Sequence, residues 1–423
     1  MSKAVISTTV DRVRRLAVRK QRLAGKLPRK PTGEDILSVI RDVCYDQWDP
    51  VDAVAPSHVI ALWSRLGNYR VSDLERLLWD EKKLFLHWTP IASIVLTEDY
   101  PIYSTMMRRF SSLMKRYPES RSDSWGANFR RAKKFLDEHK ELRKRILGEL
   151  RTKGPLKASQ FKDYARSKSS DGWTPGSAVS SMLFYLLMMG DAMIVGHNER
   201  QNIYGLAEEF LPEWVDRKVL TEEEFEHEAA QRALRALGTA TPREIHVYFP
   251  RGRYRNLKKT LGDLERESKI HRVRVETLGR KGEQYVHDLD LRLLESIDSE
   301  EFEPRMTILA PFDNLLTDRG RLKRLFRFDY IHENFLPENK RKYGTFVHPI
   351  LWGDRLIGRT DLRLDRQSKK LNVISAHAEP GAPTDKETLA KIGDTMRDFA
   401  TFLGADEVEY TSRVPAAWKS SLR

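Results

Sequence analysis

This chain has little cysteine and no long apolar run, and both absences restrict what it can be. Cys44 is the single cysteine among 423 residues, which excludes a disulfide within the chain and any zinc site built from several cysteines. The longest apolar run is 182–189 (MLFYLLMM), far shorter than the roughly 20 residues that span a bilayer. The charged N-terminus also lacks the apolar core of a signal peptide. We therefore expect a cytoplasmic chain with no membrane partner.

Motifs for nucleotide, dinucleotide and metal binding are absent as well. The sequence contains no Walker motif, no Gly-rich dinucleotide loop and no His-Glu-x-x-His helix. The pairs His287-Asp288 and His332-Glu333 do not have the spacing of metal ligands. The sequence therefore predicts neither a cofactor nor a bound metal.

Charged residues are abundant and unevenly distributed. Lys and Arg number 74 against 61 Asp and Glu, which gives a net charge of +13. Residues 1–30 hold ten basic side chains and one acidic, net +9, and residues 251–282 hold eleven basic and four acidic, net +7, whereas residues 208–228 have a net charge of −7. Concentrated positive charge attracts polyanions and makes their binding salt-dependent. Nucleic acid is the expected partner, and a basic, solvated surface without a ligand is the alternative.

One stretch, CYDQWDPVDAVAPSH at 44–58, has the composition of an active-site loop because it places an amide and a carboxylate at Gln47 and Asp49. Residues two apart point to the same side of an extended chain, whereas in a helix they point to different sides. Pro50 disfavours the helical conformation for Asp49, so we expect an extended backbone here. The two side chains could then face one target, although Gln and Asp after a helix commonly form caps or turns.

Two stretches of the chain share one order of predicted elements. The first has helices at 141–149, 157–165 and 177–189, followed by a hairpin from 191–198 and 200–207. The second has helices at 225–237, 243–249 and 256–267, followed by a hairpin within 269–289 that has a Gly-Arg-Lys-Gly tip. Three helices and a hairpin make a winged helix, so the sequence predicts two tandem winged-helix units.

In helix-turn-helix proteins the last helix enters the major groove, while a basic wing contacts the phosphate backbone. Candidate phosphate ligands are therefore the basic residues of the N-terminal stretch and of the second unit. They are Arg12, Arg15, Arg251, Arg253, Arg255, Lys258, Arg280 and Lys281, with Lys259, Arg272 and Arg274 as further members of the group. Each one alone is more commonly a solvated charge, and winged helices also serve as protein-interaction modules.

The C-terminal third is richer in predicted strands. Residues 343–365 alternate in polarity around Gly353-Asp354, a hairpin turn signal, and a strand at 371–379 precedes a Pro-Gly break and a helix at 386–402. The predicted fold class is α+β, with tandem winged-helix domains and a C-terminal β-rich, barrel-like subdomain. We expect four domains: a helical or winged-helix region at 1–125 that contains the Gln47 loop, winged helices at 126–215 and 216–300, and a β-rich domain with a terminal helix at 301–423.

Two of these blocks resemble a known family. Segment 309–366, LAPFDNLLTDRGRLKRLFRFDYIHENFLPENKRKYGTFVHPILWGDRLIGRTDLRLDR, resembles the C-terminal region of the AlkZ-like and YcaQ-like winged-helix DNA glycosylases. Segment 46–69, DQWDPVDAVAPSHVIALWSRLGNY, resembles their N-terminal block. Gln47-Trp48-Asp49 falls on the family's catalytic Gln-apolar-Asp (or Gln-apolar-Gln) motif, in the form with Asp that is YcaQ-like. The resemblance extends from about residue 10 to 405.

The resemblance implies a monofunctional DNA glycosylase of base excision repair. Its expected substrates are alkylated purines, namely N7-alkylguanine and N3-alkyladenine, and unhooking of DNA interstrand crosslinks is a further expectation. An alkylated purine is cationic and leaves without a general acid. Asp49 would stabilise the oxocarbenium-like sugar and act as general base to water, while Gln47 would hold that water or the carboxylate. A neighbouring basic groove is expected to lower the pKa of Asp49 and keep it ionised.

The expected DNA geometry follows from the crosslink chemistry. Many glycosylases flip the target base into a pocket, but a crosslinked base is tied to the opposite strand and cannot swing out freely. An open, C-shaped, positively charged cleft on double-stranded DNA is therefore favoured. We expect the protein to be a monomer associated with the nucleoid.

Six further residues could line the site: Trp48, His58, His87, Trp88, Asp313 and Asn314. Trp48 is expected chiefly to anchor the loop, and a lone His near apolar residues is commonly structural. Asp313 and Asn314 beside a proline could equally cap a helix. The family often has a His and a Glu where this chain has Pro90 and Ile91, so this chain lacks whatever role that His and that Glu have in the family.

The rival hypothesis is a non-catalytic tandem winged-helix DNA-binding protein, such as a transcriptional regulator. The loop at Gln47 discriminates between the two, because a regulator needs no carboxylate that would repel phosphate in a basic cleft. A sequence-specific regulator also usually reads two half-sites as a dimer.

Overall fold

The computed structural model describes residues 5–49, 51–89, 91–116, 124–161, 178–198, 201–250, 253–278, 283–298, 302–411, 413–415 and 418. The α-helices of the described residues are α1 Val10–Lys20, α2 Gly33–Val43, α3 Ser57–Leu66, α4 Val71–Glu75, α5 Tyr100–Arg116, α6 Ser124–Glu138, α7 Lys140–Lys153, α8 Ala178–Met189, α9 Ala207–Phe210, α10 Glu222–Leu237, α11 Pro242–Tyr248, α12 Leu257–Arg266, α13 Asp288–Ser296, α14 Arg319–Arg321 and α15 Lys386–Phe402. None of them combines the length and the apolarity that crossing a membrane requires.

The strands of the same residues are β1 Ile6–Thr8, β2 Asp46–Gln47, β3 Leu84–Trp88, β4 Ala92–Leu96, β5 Leu156–Lys157, β6 Ala192–Asn198, β7 Gln201–Leu206, β8 Thr239–Ala240, β9 Ile270–Val275, β10 Glu283–His287, β11 Met306–Ile308, β12 Val347–Trp352, β13 Arg355–Asp365, β14 Lys370–Ala378 and β15 Glu407–Tyr410. The fold class is α+β, as the sequence predicts. The chain divides into two compact units, one of residues 1–73 with 226–423 and the other of residues 74–225. The finer division at 125, 215 and 300 stays a prediction.

The first unit contains a four-stranded sheet in the order β1-β9-β10-β8. Strand β1 lies parallel to β9, so the N-terminus is paired with a segment more than 260 residues away, with Ile6 opposite Val273. Helix α1 follows β1 and is capped where Thr9 Oγ1 accepts a hydrogen bond from the Arg12 N–H at 3.2 Å. Apolar residues recur at helical spacing in α1, and Val13 and Leu16 are buried.

The same unit contains a five-stranded sheet in the order β11-β12-β13-β14-β15. Strands β11 to β14 pair antiparallel, while β15 lies parallel to β14. The predicted hairpin at Gly353-Asp354 is present, and Gly353 has a φ of +57°, which suits a two-residue hairpin turn. The predicted helix at 386–402 is also present, with Asp385 as its N-cap.

Helix α3 is the element that brings the candidate loop into the core of this unit. All ten of its residues are buried. Its Trp63 ring lies 4.5 Å from the ring of Phe399 in α15, measured between centroids. Helix α3 is therefore fixed against α15, and this contact also fixes the position of the residues that directly precede α3.

The second unit contains the β3-β4 hairpin and a three-stranded sheet in the order β5-β7-β6. Its core includes Ile146, Met182 and Leu186. The predicted helix at 157–165 is wrong in its first half, since β5 and a short 3-10 turn at Ala158–Gln160 occupy it. Residues 162–165 lie outside the described residues. The other predicted helices and the hairpin of β6 and β7 are present, whereas the winged-helix assignment itself stays a prediction.

Candidate active site

The Gln47 loop is extended at Asp46–Gln47, whereas the extended backbone expected at Asp49 stays a prediction. Helix α2 ends at Val43, and its C-cap residue Cys44 has a φ of +72° that turns the chain sharply. The chain then enters strand β2 at Asp46–Gln47. Beyond the strand, Asp49 Oδ1 accepts a hydrogen bond from the Val51 N–H at 3.1 Å, which closes a local turn. Gln47 and Asp49 are each partly exposed. An amide and a carboxylate two residues apart are thus both accessible to a substrate.

Trp48 lies between these two residues and stacks on His58. The ring centroids are 4.3 Å apart with an interplanar angle of 17°. His58 is buried at the start of α3, with 4% of its surface exposed. Trp48 therefore anchors the loop onto α3, and His58 supports it from beneath.

The pKa of Asp49 differs from the sequence expectation. Burial raises the pKa of this carboxyl above its ordinary value, and the hydrogen bond from Val51 N–H offsets only part of that rise. The expected lowering of this pKa by neighbouring basic residues is therefore wrong for this chain without DNA, because desolvation is the largest influence on the Asp49 carboxyl. A carboxylate with a raised pKa is a stronger base, which suits a residue that takes a proton from water.

Asn314 holds the chain on both sides of Cys44. Its Nδ2 donates to Val43 O at 3.2 Å and to Tyr45 O at 2.8 Å. The Tyr248 hydroxyl donates to the same Val43 oxygen at 2.8 Å. Asn314 has only 4% of its surface exposed, so it holds the loop from the buried side, away from solvent. It thereby positions the backbone that carries Gln47.

Asp313 does the same for α3. Its carboxylate accepts two hydrogen bonds from Arg65, with Nη1 at 2.6 Å and Nη2 at 3.0 Å. Both side chains are almost fully buried, 0% exposed for Asp313 and 2% for Arg65. Removal of one partner from such a buried pair costs about 3–5 kcal/mol, because the other charge is left without compensation. The Pro-Phe-Asp-Asn segment at 311–314 thus supports the loop and α3 from the core.

Asp46 was missed by the sequence reasoning. It is 4% exposed, and its Oδ2 has no hydrogen-bond partner among the described residues. Burial raises the pKa of Asp46 well above its ordinary value, an effect that the nearby Arg65 opposes and that Asp313 reinforces. Burial therefore favours the protonated form of the carboxyl beside Gln47. The sequence signal was an acidic residue directly before the Gln, on the opposite side of the strand.

The segment after Asp49 is tied to the turn between β13 and β14. Arg366 Nη2 in that turn bonds both carboxylate oxygens of Asp52, at 2.7 and 2.8 Å, and Val54 O at 3.3 Å. Arg366 and Asp52 are 314 residues apart in the sequence, so sequence spacing cannot indicate this contact. The loop is thus held by Asn314 at one end and by Arg366, in the turn after β13, at the other.

The basic candidates are less free than the sequence implies. Arg12 and Arg15 both bond the carboxylate of Asp298, at 2.5 and 2.7 Å. Several other members meet acids as well: Lys259 bonds Asp263, Arg272 bonds Glu265 and Arg274 approaches Glu283. Arg253, Arg255 and Lys258 lie at the start of α12 or just before it. Arg251, Arg280 and Lys281 lie outside the described residues.

His87 and Trp88 belong to β3 in the second unit. His87 is 2% exposed and lies edge-on to Tyr103, with centroids 5.2 Å apart. Trp88 meets Phe184 at 5.2 Å in an edge-to-face contact and packs against the core of this unit. These contacts support a packing role rather than a lining role. Pro90 lies outside the described residues.

Comparison with known proteins identifies the family. The sequence model of the family described as "DNA glycosylase AlkZ-like" matches residues 40–402. This chain belongs to the AlkZ-like DNA glycosylase family. The matched range contains both the Gln47 loop and the 311–314 segment that supports it, so the described site lies within the part of the chain that defines the family.

A solved structure shows the same fold. The chain is similar to the Streptomyces sahachiroi DNA glycosylase AlkZ, with a TM-score of 0.61 and 15% sequence identity, over 97% of this chain and 100% of that one. At this identity the likeness concerns the fold. Together with the family match, it supports a DNA glycosylase that acts on DNA.

Proposed function

We propose that this protein hydrolyses the N-glycosidic bond of alkylated purines in DNA, with N7-alkylguanine and N3-alkyladenine as its substrates. The observation that carries the proposal is the Gln47–Asp49 loop, whose two polar side chains are accessible while its backbone is held from the core by Asn314 and Trp48. A rigid loop of this kind can place an amide and a carboxylate against one reacting atom.

The chemistry divides between the two residues. Alkylation at N7 or N3 gives the purine a positive charge, so the C–N bond breaks without a general acid and the neutral base departs. Asp49 stabilises the positive charge that develops on the sugar and removes a proton from the attacking water. Gln47 can both donate and accept, so it orients that water against the anomeric carbon. Water supplies the hydroxyl group, and the products are the free base and an abasic site.

The raised pKa of Asp46 fits this division of roles. Ionised carboxylates at both Asp46 and Asp49 would repel each other and the phosphates of DNA. Burial raises the pKa of Asp46 well above its ordinary value, whereas Asp49 is partly exposed. Asp49 is therefore the catalytic carboxylate of this proposal.

We infer a hydrolase without lyase activity. A lyase needs an amine that forms a Schiff base with the sugar, and residues 46–58 contain no lysine. Accumulation of intact abasic sites, with no strand cleavage before alkali and no covalent product on borohydride treatment, is the expected result. Borohydride-trapped protein–DNA adducts would contradict this inference.

The DNA-binding part of the proposal rests on the second helical segment. Helix α12 and the hairpin of β9 and β10 have the order of a recognition helix and its wing, and Lys258 on α12 is exposed. We propose that these elements contact the phosphate backbone, that the protein acts as a monomer at the nucleoid, and that an open cleft lets it unhook interstrand crosslinks.

The test of substrate class uses purified protein and three duplexes of one sequence. One contains N7-methylguanine, one contains a nitrogen-mustard crosslink through N7 of guanine, and one is undamaged. Released base should be found with the first and unhooked strands with the second, while the undamaged duplex stays intact. Binding of all three without base release would support the non-catalytic regulator instead.

A further inference from the structure

Phe335 is an exposed aromatic residue on the first unit. With 76% of its surface in solvent, it is the most exposed of the large apolar side chains in the described part of the chain. Ile331, four residues earlier, is 50% exposed. Burial of an aromatic side chain is strongly favourable, so an aromatic ring exposed to water indicates a surface that a binding partner covers.

The loop that presents Phe335 is held firmly. Glu333 is buried and accepts hydrogen bonds from the N–H groups of Tyr343 at 2.7 Å and Gly344 at 3.1 Å. Arg341 Nε donates to Glu333 O at 3.2 Å and to Leu336 O at 3.0 Å, on both sides of Phe335. The ring is therefore presented by an ordered turn and not by a loose end.

A continuous set of contacts joins Phe335 to the Gln47 loop. The Phe335 ring lies edge-on to His332 at 6.5 Å, and His332 stacks on Phe312 at 4.3 Å. The Phe312 N–H donates to Ser57 Oγ at 3.3 Å, and Ser57 precedes His58, on which Trp48 stacks. Phe335 is thus two ring contacts and one hydrogen bond away from the helix that supports the candidate catalytic loop.

The surroundings of Phe335 are basic. Residues 319–342 contain eight basic and three acidic side chains, a net charge of +5, and one of the acids is the buried Glu333. Arg319, Lys340 and Lys342 are exposed. Burial and the charge of Arg319 lower the pKa of His332 to about 4, so this ring is neutral near pH 7 and serves as an apolar support. An exposed aromatic ring within a cationic surface matches a nucleic acid, which combines phosphates with aromatic bases.

We propose that Phe335 stacks on a base of the bound duplex, as an apolar wedge next to the excised nucleotide. The position beside the excised nucleotide rests on the proposed glycosylase function, whereas the stacking contact itself does not. Apolar wedges that enter a base step unstack it and bend the duplex. Such a contact would open the step around the lesion and give water access to the anomeric carbon.

The experiment uses the full chain and an undamaged duplex that carries 2-aminopurine, whose fluorescence rises when it is unstacked. Phe335→Ala should weaken binding by about tenfold or more, the scale of one lost base–aromatic stack, and should abolish the fluorescence rise. The slope of log K against log salt should stay unchanged, because no phosphate contact is removed. Phe335→Trp should retain both signals. Leu289→Ala is the matched control, since Leu289 is 68% exposed elsewhere on the same unit.

Two results would overturn the proposal. The first is Phe335→Ala that binds the duplex and unstacks 2-aminopurine as the wild type does. The second is an equal loss of affinity for heparin, a polyanion without bases, because that would assign the effect to charge or folding. Base release is measured separately on N7-methylguanine DNA. A protein that releases no base but loses binding in Phe335→Ala would contradict the proposed function and leave the stacking contact supported.

Discussion

Replacement of Asn314 by Ala tests whether the core side of the loop sets its geometry. The change removes the donors to Val43 O and Tyr45 O, and each net hydrogen bond contributes about 0.5–1.5 kcal/mol. Tyr248 still donates to Val43 O, but Tyr45 O loses its Asn314 donor in a buried place. We expect a loss of about 2–4 kcal/mol in the free energy of unfolding. Urea unfolding followed by circular dichroism measures it.

The effect on the reaction should exceed the effect on binding. Cys44 has a φ of +72°, a conformation that costs a non-Gly residue about 1–3 kcal/mol and persists only where its surroundings impose it. Without Asn314 the backbone can relax and rotate Gln47 and Asp49. Single-turnover base release should therefore fall about tenfold or more with DNA affinity unchanged.

A second substitution separates this account from general destabilisation. Cys44→Gly in the Asn314→Ala background should restore part of the rate, because Gly adopts positive φ without strain. Asn198→Ala is the matched control, since Asn198 is exposed at the end of β6 in the other unit and its loss should cost little. Asn314→Ala with wild-type base release and stability would refute the reasoning.

Three further predictions follow from the site. Gln47→Ala should lower the rate of base release less than Asp49→Asn does, because a water-positioning group is partly replaceable. If single-turnover assays gave the reverse order, the roles assigned to Gln47 and Asp49 would have to be exchanged. Asp298→Asn should release Arg12 from its ion pair with Asp298, while Arg15 keeps its approach to Asp354 at 3.7 Å. Binding to duplex DNA should tighten, with a log K against log salt slope steeper by about 0.9 per new phosphate contact. Asp394→Asn, which removes the ion pair of Arg397 on α15, is the control, and an unchanged slope in Asp298→Asn would contradict the prediction. Asp46 has a raised pKa in the folded protein, so its contribution to stability is complete below its unfolded pKa and is lost as pH rises through the folded pKa. In urea unfolding, the free energy of unfolding of Asp46→Asn should therefore equal that of the wild type near pH 4 and exceed it at higher pH. A difference in this free energy that is the same at all pH values would disprove the prediction.

Most local elements of this protein are predictable from its sequence, and its long-range contacts are not. The C-terminal helix and the Gly353-Asp354 hairpin follow from periodicity and turn residues, whereas the helix expected at 157–165 is wrong in its first half. Asp313 and Asn314 were found as a motif, but their role depends on contacts with Arg65 and Val43, more than 240 residues away. Sequence spacing carries no information about such pairs.

Charge was the least predictable property. Net charge by segment indicates a polyanion partner, but it does not show that Asp298 already engages two of the candidate arginines. Desolvation likewise reversed the expected direction of the pKa of Asp49. Both outcomes depend on burial and pairing in three dimensions, which composition does not contain.

The central claim is that Asp49 performs the chemistry, and base release by Asp49→Asn tests it most directly. Excision of N7-methylguanine is measured under single-turnover conditions with saturating protein, beside Asp394→Asn, which alters an exposed acid on α15 that does not contact the described residues of the loop. Asp49→Asn should retain DNA affinity and lose about 10²-fold or more in rate. The rate of the wild type should rise with pH as Asp49 ionises, this rise should be absent in Asp49→Asn, and Asp394→Asn should stay close to wild type. Base release by Asp49→Asn at the wild-type rate would contradict the account.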